Sequence, residues 1–234
     1  MNSPIAIEVK NLIKRFGETV VVNDVSLSVS QGEIYALIGE NGAGKTTMIK
    51  IMTNLYVPDA GTVRLFGHNI CTESESAKKL FGYISDNPIV YGHLTGREFY
   101  FLAGRLRGMS IVEIEKRITE LMPVFTLEEL IDSPMSDLSR GNRQKIAFIA
   151  CLLAKPKLII IDEPIVGLDP DSIEIFGNTL QRFVKDGGTV FFSTHILSFA
   201  EQFATRAGII HHGIFKGEIR IEKTTNLNDL YHTK

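Results

Sequence analysis

A chain of 234 residues with 44% hydrophobic side chains is long enough for one large domain or two small ones with a sizeable core. Its formal net charge of −2 gives no electrostatic case for nucleic acid, whose partners are usually strongly basic. The longest apolar stretch, Ile146 to Ala154, falls short of the ~20 residues that cross a bilayer, and no charged-then-apolar leader opens the chain. Cys71 and Cys151 lie far apart and outside any metal-ligand spacing, so reduced thiols are expected.

Residues 5–38 read as strands. Val25, Leu27 and Val29 alternate with Ser26, Ser28 and Ser30, the period of a half-buried antiparallel strand. Gln31-Gly32 makes a turn, and Ile34 to Ile38 is a short apolar run that fits a buried strand. Gly39-Glu40-Asn41-Gly42-Ala43-Gly44-Lys45-Thr46 follows, in the spacing GxxxxGK[ST]. Glycines at these places let backbone N–H groups turn around a polyphosphate. Lys45 can reach the terminal phosphates, and the Thr46 hydroxyl can ligate Mg²⁺. Ile49, Ile51, Met52 and Leu55 then give an apolar helical face, so a helix N-terminus points at the anion.

Pro58-Asp59-Ala60-Gly61 reads as a turn before a strand from Thr62 to Phe66. The middle of the chain is helical. Phe99, Leu102, Ala103 and Leu106 share a face, Ser110 with Glu113 is a capping box, and Ile111, Ile114, Ile118 and Leu121 follow. Thr126 with Glu129 predicts a cap of another helix. Ser139-Arg140-Gly141-Asn142 precedes a helical pattern from Gln144 to Ala154. Ser139 is either an ordinary N-cap or part of a second helix N-terminus that presents Ser and Gly to phosphate.

Leu158-Ile159-Ile160-Ile161-Asp162-Glu163 is an apolar run ending in two carboxylates, as expected of a central strand that delivers its last residues to the ligand edge of an α/β sheet. Asp162 is placed to hold Mg²⁺ and Glu163 to act on a water; paired carboxylates at a strand end also occur as solvated caps. Val190 to His195 is a further strand with a polar end. His195 is either a surface residue or, if that strand is a neighbour, close to the γ-phosphate. Ile196, Phe199, Ala200 and Phe203 mark a helix, Ile209 to His211 a last strand, and 221–234, with Leu227 and Leu230, a short tail or terminal helix. His211-His212 reads as a solvated strand end. Strands alternating with helices around a phosphate loop predict an α/β fold with a mostly parallel sheet, an antiparallel β start and a helical insertion.

The order of these motifs resembles the nucleotide-binding subunit of ATP-binding-cassette (ABC) transporters over about residues 5–220. Walker A is Gly39 to Thr47. The signature motif, usually LSGGQ, stands as Leu138-Ser139-Arg140-Gly141-Asn142. Walker B is Leu158 to Asp162, followed by Glu163; the D-loop is Gly167-Leu168-Asp169 and the switch histidine is His195. Phe16 sits where the family stacks a ring on adenine.

The resemblance implies a single ABC ATPase domain over 1–234, with a P-loop NTPase (RecA-like) core in 1–86 and 155–220, an N-terminal antiparallel β subdomain, and an inserted helical subdomain in 87–154. It implies ATP and Mg²⁺ as cofactors. Catalysis would fall to Lys45, Glu163 and His195, and the metal to Thr46, Asp162 and Asp86. Nucleotide would be bound by Phe16, by Gly39, Glu40, Asn41, Gly42, Ala43, Gly44, Lys45, Thr46 and Thr47, and across a head-to-tail dimer by Ser139, Gly141 and Asp169. The partners would be a transmembrane permease subunit and a second copy of the chain or a homologous ATPase domain, and the place the cytoplasmic face of the cell membrane.

Three positions depart from the pattern: Asp86 for a glutamine, Arg140 for a glycine and Asn142 for a glutamine. Arg140 adds a cation near the phosphates or lies on the surface. Asp86, with Leu94 to Phe99, looks similar to prokaryotic ABC-2-type exporter ATPases, which implies export. The segment Pro88 to Arg107, with Ile89, Val90, Tyr91, Phe99, Tyr100 and Phe101, either builds the helical core or lines a groove for a permease helix. The alternatives are a soluble ABC ATPase that remodels another assembly and a nucleotide-dependent regulatory clamp.

Overall fold

The computed structural model describes residues 4–88, 91–222 and 225–227. In chain order the elements are β1 (Ile5–Phe16), β2 (Thr19–Ser30), β3 (Ile34–Ile38), α1 (Lys45–Met52), β4 (Ala60–Leu65), β5 (His68–Asn69), α2 (Ser74–Lys78) and β6 (Phe81–Ile84). Then come α3 (Gly96–Leu106), α4 (Ile111–Leu121), α5 (Arg140–Leu153), β7 (Leu158–Asp162), α6 (Pro170–Lys185), β8 (Thr189–Thr194), α7 (Leu197–Phe203), β9 (Arg206–His211) and β10 (Ile214–Arg220).

One sheet is antiparallel in the order β2-β1-β4-β5; the other runs β10-β9-β3-β8-β7-β6, parallel except for β10. Every residue of β3, β7 and β8 is buried, as strands covered on both faces must be. Their alternation divides two cores. Ile34, Ala36, Ile38, Ile159 and Ile161 pack with α5, α6 and α7 on one face. Tyr35, Leu37, Leu158, Ile160 and Phe191 pack with α1 and the antiparallel sheet on the other. Phe148 of α5 and Phe176 of α6 join at 4.1 Å between ring centroids. In β2 the predicted alternation holds: Val25, Leu27 and Val29 are buried while Ser26 and Ser28 are exposed.

Several local expectations are corrected. Thr126 caps no helix, because its φ of 50° is left-handed and an N-cap needs extended backbone. Residues 126–133 form turns that bury Leu127 and Ile131 instead. Leu55 is 59% exposed: α1 ends at Met52 and Asn54 turns the chain away with φ 57°. Leu106 and Ile111, at helix ends, are likewise exposed. The elements β5, α2, β6, α6 and β10 lie outside the sequence expectations, although Asp169-Pro170 and the spacing of Ile173, Phe176 and Leu180 carry the signal of α6. Ile89, Val90 and Leu230 lie outside the described residues.

Candidate nucleotide site

The C-terminal ends of β3, β8, β7 and β6 lie side by side, with Ile38 paired to Thr194, Ser193 to Asp162 and Ile161 to Ile84. This edge is where an open α/β sheet binds ligands. From β3 the chain turns through residues 39–44 into α1. Gly44 holds φ 102° as the residue before the helix, where an L side chain is strained. A Cβ there would also stand 2.6 Å from the Val21 carbonyl oxygen of β2. The loop is thus seated on neighbouring backbone. Lys45 is 5% exposed, and its Nζ donates to the carbonyls of Gly39 at 2.7 Å and Glu40 at 3.1 Å. Thr46 and Thr47 occupy the first turn of α1, half-buried, and Asn41 and Gly42 are exposed at the loop tip.

Asp162, at the end of β7, is fully buried. One carboxylate oxygen accepts from Ser193 Oγ; the other is buried without a hydrogen-bond partner. Burial pushes its carboxyl up from the usual range. The hydroxyls of Ser193 and Thr46 pull it down, and the charges of Asp86 and Glu163 add to the upward push. A buried carboxylate with an unused oxygen beside a threonine hydroxyl is a hard-oxygen donor pair that fits Mg²⁺. Among the described residues there is no cluster of three His, Cys, Asp or Glu that could hold a metal.

Glu163 has φ 51°, a left-handed conformation that costs a non-glycine residue about 1–3 kcal/mol and collects at functional sites. Its backbone N–H donates to the Ser193 carbonyl at 3.1 Å. Its carboxylate bridges two groups: Oε1 lies 3.4 Å from Lys45 Nζ and Oε2 lies 3.0 Å from His195 Nδ1. The His195 side chain is 42% exposed and borders a hollow of about 310 Å³ with Gly39, Glu40, Asn41 and Leu197. His195 thus stands on the strand next to β7 and beside the loop at 39–41.

Ser139 accepts the Asn142 N–H at 3.2 Å, so it is an N-cap, of α5. Gly141 stands against the D-loop: a Cβ there would lie 2.7 Å from the Gly167 carbonyl oxygen. Asp169 caps α6 through Ser172 and pairs with Lys145 of α5 at 3.5 Å. Among the described residues no hydrogen bond or ion pair joins Ser139 or Gly141 to residues 39–47. Phe16 is 45% exposed at the β1–β2 turn, edge-on to Tyr56 at 5.5 Å and beneath Lys14. Asp86 is exposed after β6, and its Oδ1 accepts the Asn87 N–H at 2.8 Å. Ser193, Lys145 and Tyr56 are functional neighbours that the motifs did not single out. The support Ser193 gives Asp162 depends on the β7–β8 register, which no local pattern carries.

Residues 22–166 match the family model described as ABC transporter. The bacitracin transport ATP-binding protein BcrA of Enterococcus faecalis is 39% identical over 96% of this chain and 72% of its own length. The chain belongs to the ABC transporter ATP-binding family. The Nod factor export ATP-binding protein I of Sinorhizobium fredii is 32% identical over 90% of this chain, which spans 62% of that protein. Among solved structures, an ATP-binding subunit of an ABC transporter superposes with a TM-score of 0.91 at 33% identity, covering 97% of this chain and 98% of that one. A dimeric post-hydrolysis state of the ATP-binding cassette MJ0796, bound to ADP and Pi, superposes with a TM-score of 0.84 at 25% identity, over 92% and 99%. As a member of the ABC family the chain binds and hydrolyses ATP, and the fold above is that of the family's cassette. Among the described residues no helix is long and apolar enough to cross a membrane.

Proposed function

We propose that this ABC subunit hydrolyses Mg²⁺-bound ATP between two head-to-tail copies and thereby drives a separate transmembrane permease, in the export direction. The observation that carries the chemistry is the Lys45–Glu163–His195 chain beside buried Asp162. Glu163 accepts a proton from water as the water oxygen bonds the γ-phosphorus; the bond to the β–γ bridging oxygen breaks and ADP leaves with that electron pair. Lys45 exchanges its two loop carbonyls for phosphate oxygens, and His195 holds the Glu163 carboxylate in line. Asp162 and Thr46 would hold Mg²⁺, with Asp86 facing the same edge; the ion supplies charge neutralisation on the phosphates. Phe16 would stack on adenine, and Ser139, Gly141 and Asp169 would face the nucleotide of the partner copy.

The permease reading rests on a cavity of about 700 Å³ between the end of α1, β6 and the end of α3. Leu55 and Leu106 stand exposed on its wall, with Phe81 and Tyr83 at its floor. Within Pro88 to Arg107, Tyr100 is buried and Phe99 and Phe101 pack on the core; among its described residues, Leu106 and Arg107 at its end line the cavity. Exposed apolar side chains of this kind suit a cytoplasmic helix of a membrane partner, which supports reading the subunit as sitting at the cytoplasmic face of the membrane. The name of the Nod factor protein, which has export in it, supports the direction.

The test is affinity capture from detergent-solubilised membranes with the ATP-trapping Glu163→Gln variant. Co-purification of an integral membrane protein, lost on Leu55→Asp with Leu106→Asp, supports the reading. Recovery of ribosomes with no membrane protein would overturn it.

A further inference from the structure

Arg140 stands where the signature motif usually has glycine, and its side chain is engaged at both ends of its length. Its stem lies along the D-loop: a Cβ on Gly167 would meet Arg140 Cδ at 3.4 Å and Cγ at 3.6 Å. Its Nη2 donates to the Asp86 carbonyl oxygen at 3.0 Å, across a sequence separation of 54 residues. The acceptor is itself braced. Ser85 Oγ donates to the Asn87 carbonyl at 2.8 Å and the Asn87 N–H donates to Asp86 Oδ1 at 2.8 Å, so a tight local turn presents the Asp86 carbonyl.

The first turns of α5 are tied to the D-loop at two further points, the close approach of Gly141 to Gly167 and the Lys145–Asp169 pair. Neither reaches β6. Farther along, α5 packs on β6 itself, where Cys151 fills the space left by Gly82; Arg140 is the side chain that joins the first turn of α5 and the D-loop to the segment that leaves β6, the strand whose Phe81 and Tyr83 floor the large cavity. A glycine at 140 has no side chain to make this connection.

We infer that Arg140 is a positioning residue that ties the signature segment and the D-loop to the Asp86 turn within one chain. Alongside the packing of α5 on β6, it fixes the placement of Ser139 and Gly141 relative to the Asp86 turn. The consequence for hydrolysis rests on the function proposed above; the tie itself does not. The competing use of the same guanidinium is as a cation on the phosphates of the partner copy's nucleotide.

Two variants separate them. Arg140→Met keeps the stem over Gly167 and removes the donor; Arg140→Lys keeps charge and a donor. In nucleotide-free protein, where no phosphate takes part, hydrogen exchange followed by mass spectrometry should show the backbone amides of 85–87 and 140–143 exchanging several-fold faster in Arg140→Met. Arg140→Lys should restore most of the protection. Steady-state ATPase of Arg140→Met should show a several-fold lower kcat, recovered in large part by Arg140→Lys. Unchanged exchange at 85–87 in Arg140→Met overturns the tie, and a fall in kcat alongside that unchanged exchange assigns the guanidinium to the partner's nucleotide. If wild-type protein hydrolyses no ATP, the proposed function fails while the exchange result still decides the tie.

Discussion

His195 Nδ1 lies 3.0 Å from Glu163 Oε2, and the two residues come from the ends of neighbouring parallel strands. With Lys45 on the other oxygen, the carboxylate has little freedom to turn. Glu163→Gln should lower kcat by about 10²–10⁴-fold, the usual contribution of a positioned general base, while ATP still binds. His195→Ala should cost less, about 10²-fold, because it removes aim and leaves the base. Single-turnover hydrolysis of pre-bound ATP checks both; equal losses would mean that His195 does more than orient.

Ser193 is the residue that steadies Asp162. Its hydroxyl donates to a carboxylate that burial already pushes towards the neutral form. Ser193→Ala removes a downward pull on that carboxyl, so the charged form needed for Mg²⁺ becomes harder to keep. The Mg²⁺ concentration for half-maximal ATPase should rise by about 10–100-fold, the usual effect of losing such a supporting hydrogen bond. A Mg²⁺ titration at saturating ATP reads this directly.

Asp169 titrates in the opposite sense. The Ser172 hydroxyl, then the Ser172 N–H, stabilise the carboxylate and hold it at about 2, from an ordinary 3.8. A depressed carboxyl contributes stability that is whole above its unfolded pKa and is lost as pH falls from there through the folded value. The cap of α6 should therefore weaken between about pH 4 and pH 2. A carboxyl NMR titration should find the low midpoint, and Ser172→Ala should move it up towards 3.8.

Gly82 in β6 leaves room for Cys151 of α5: a Cβ on Gly82 would collide with the Cys151 sulfur. Gly82→Ala should destabilise the fold by about 1–3 kcal/mol, the typical cost of overpacking a filled core. Adding Cys151→Ala should recover part of that loss. Thermal unfolding of the two variants against wild type measures it.

The α/β fold was legible because its central strands are covered on both faces, which makes Ile34 to Ile38, Leu158 to Ile161 and Val190 to Phe192 continuous apolar runs. The phosphate loop was legible because its glycine and lysine spacing is set by the anion it surrounds. What could not be read depends on long-range pairing or on one dihedral angle. The support of Asp162 by Ser193 exists only in the observed β7–β8 register. The Thr126 cap failed because a single left-handed φ undoes a good capping sequence. Ser139 shows a third kind of limit: its N-cap geometry is what a structural helix start and a phosphate-facing one share, so the pattern could not choose between them.

The row β3-β8-β7-β6 acts as a ruler. Each rung of a sheet is about 4.8 Å, so the starting points of the phosphate loop, His195, Glu163 and the Asp86 turn are set out at one-strand intervals over about 14 Å. The graduation is set by backbone hydrogen bonding and is indifferent to side-chain identity. Substitutions along this edge can therefore change which chemistry stands at each mark, as Asp86 illustrates, while the marks themselves stay where they are.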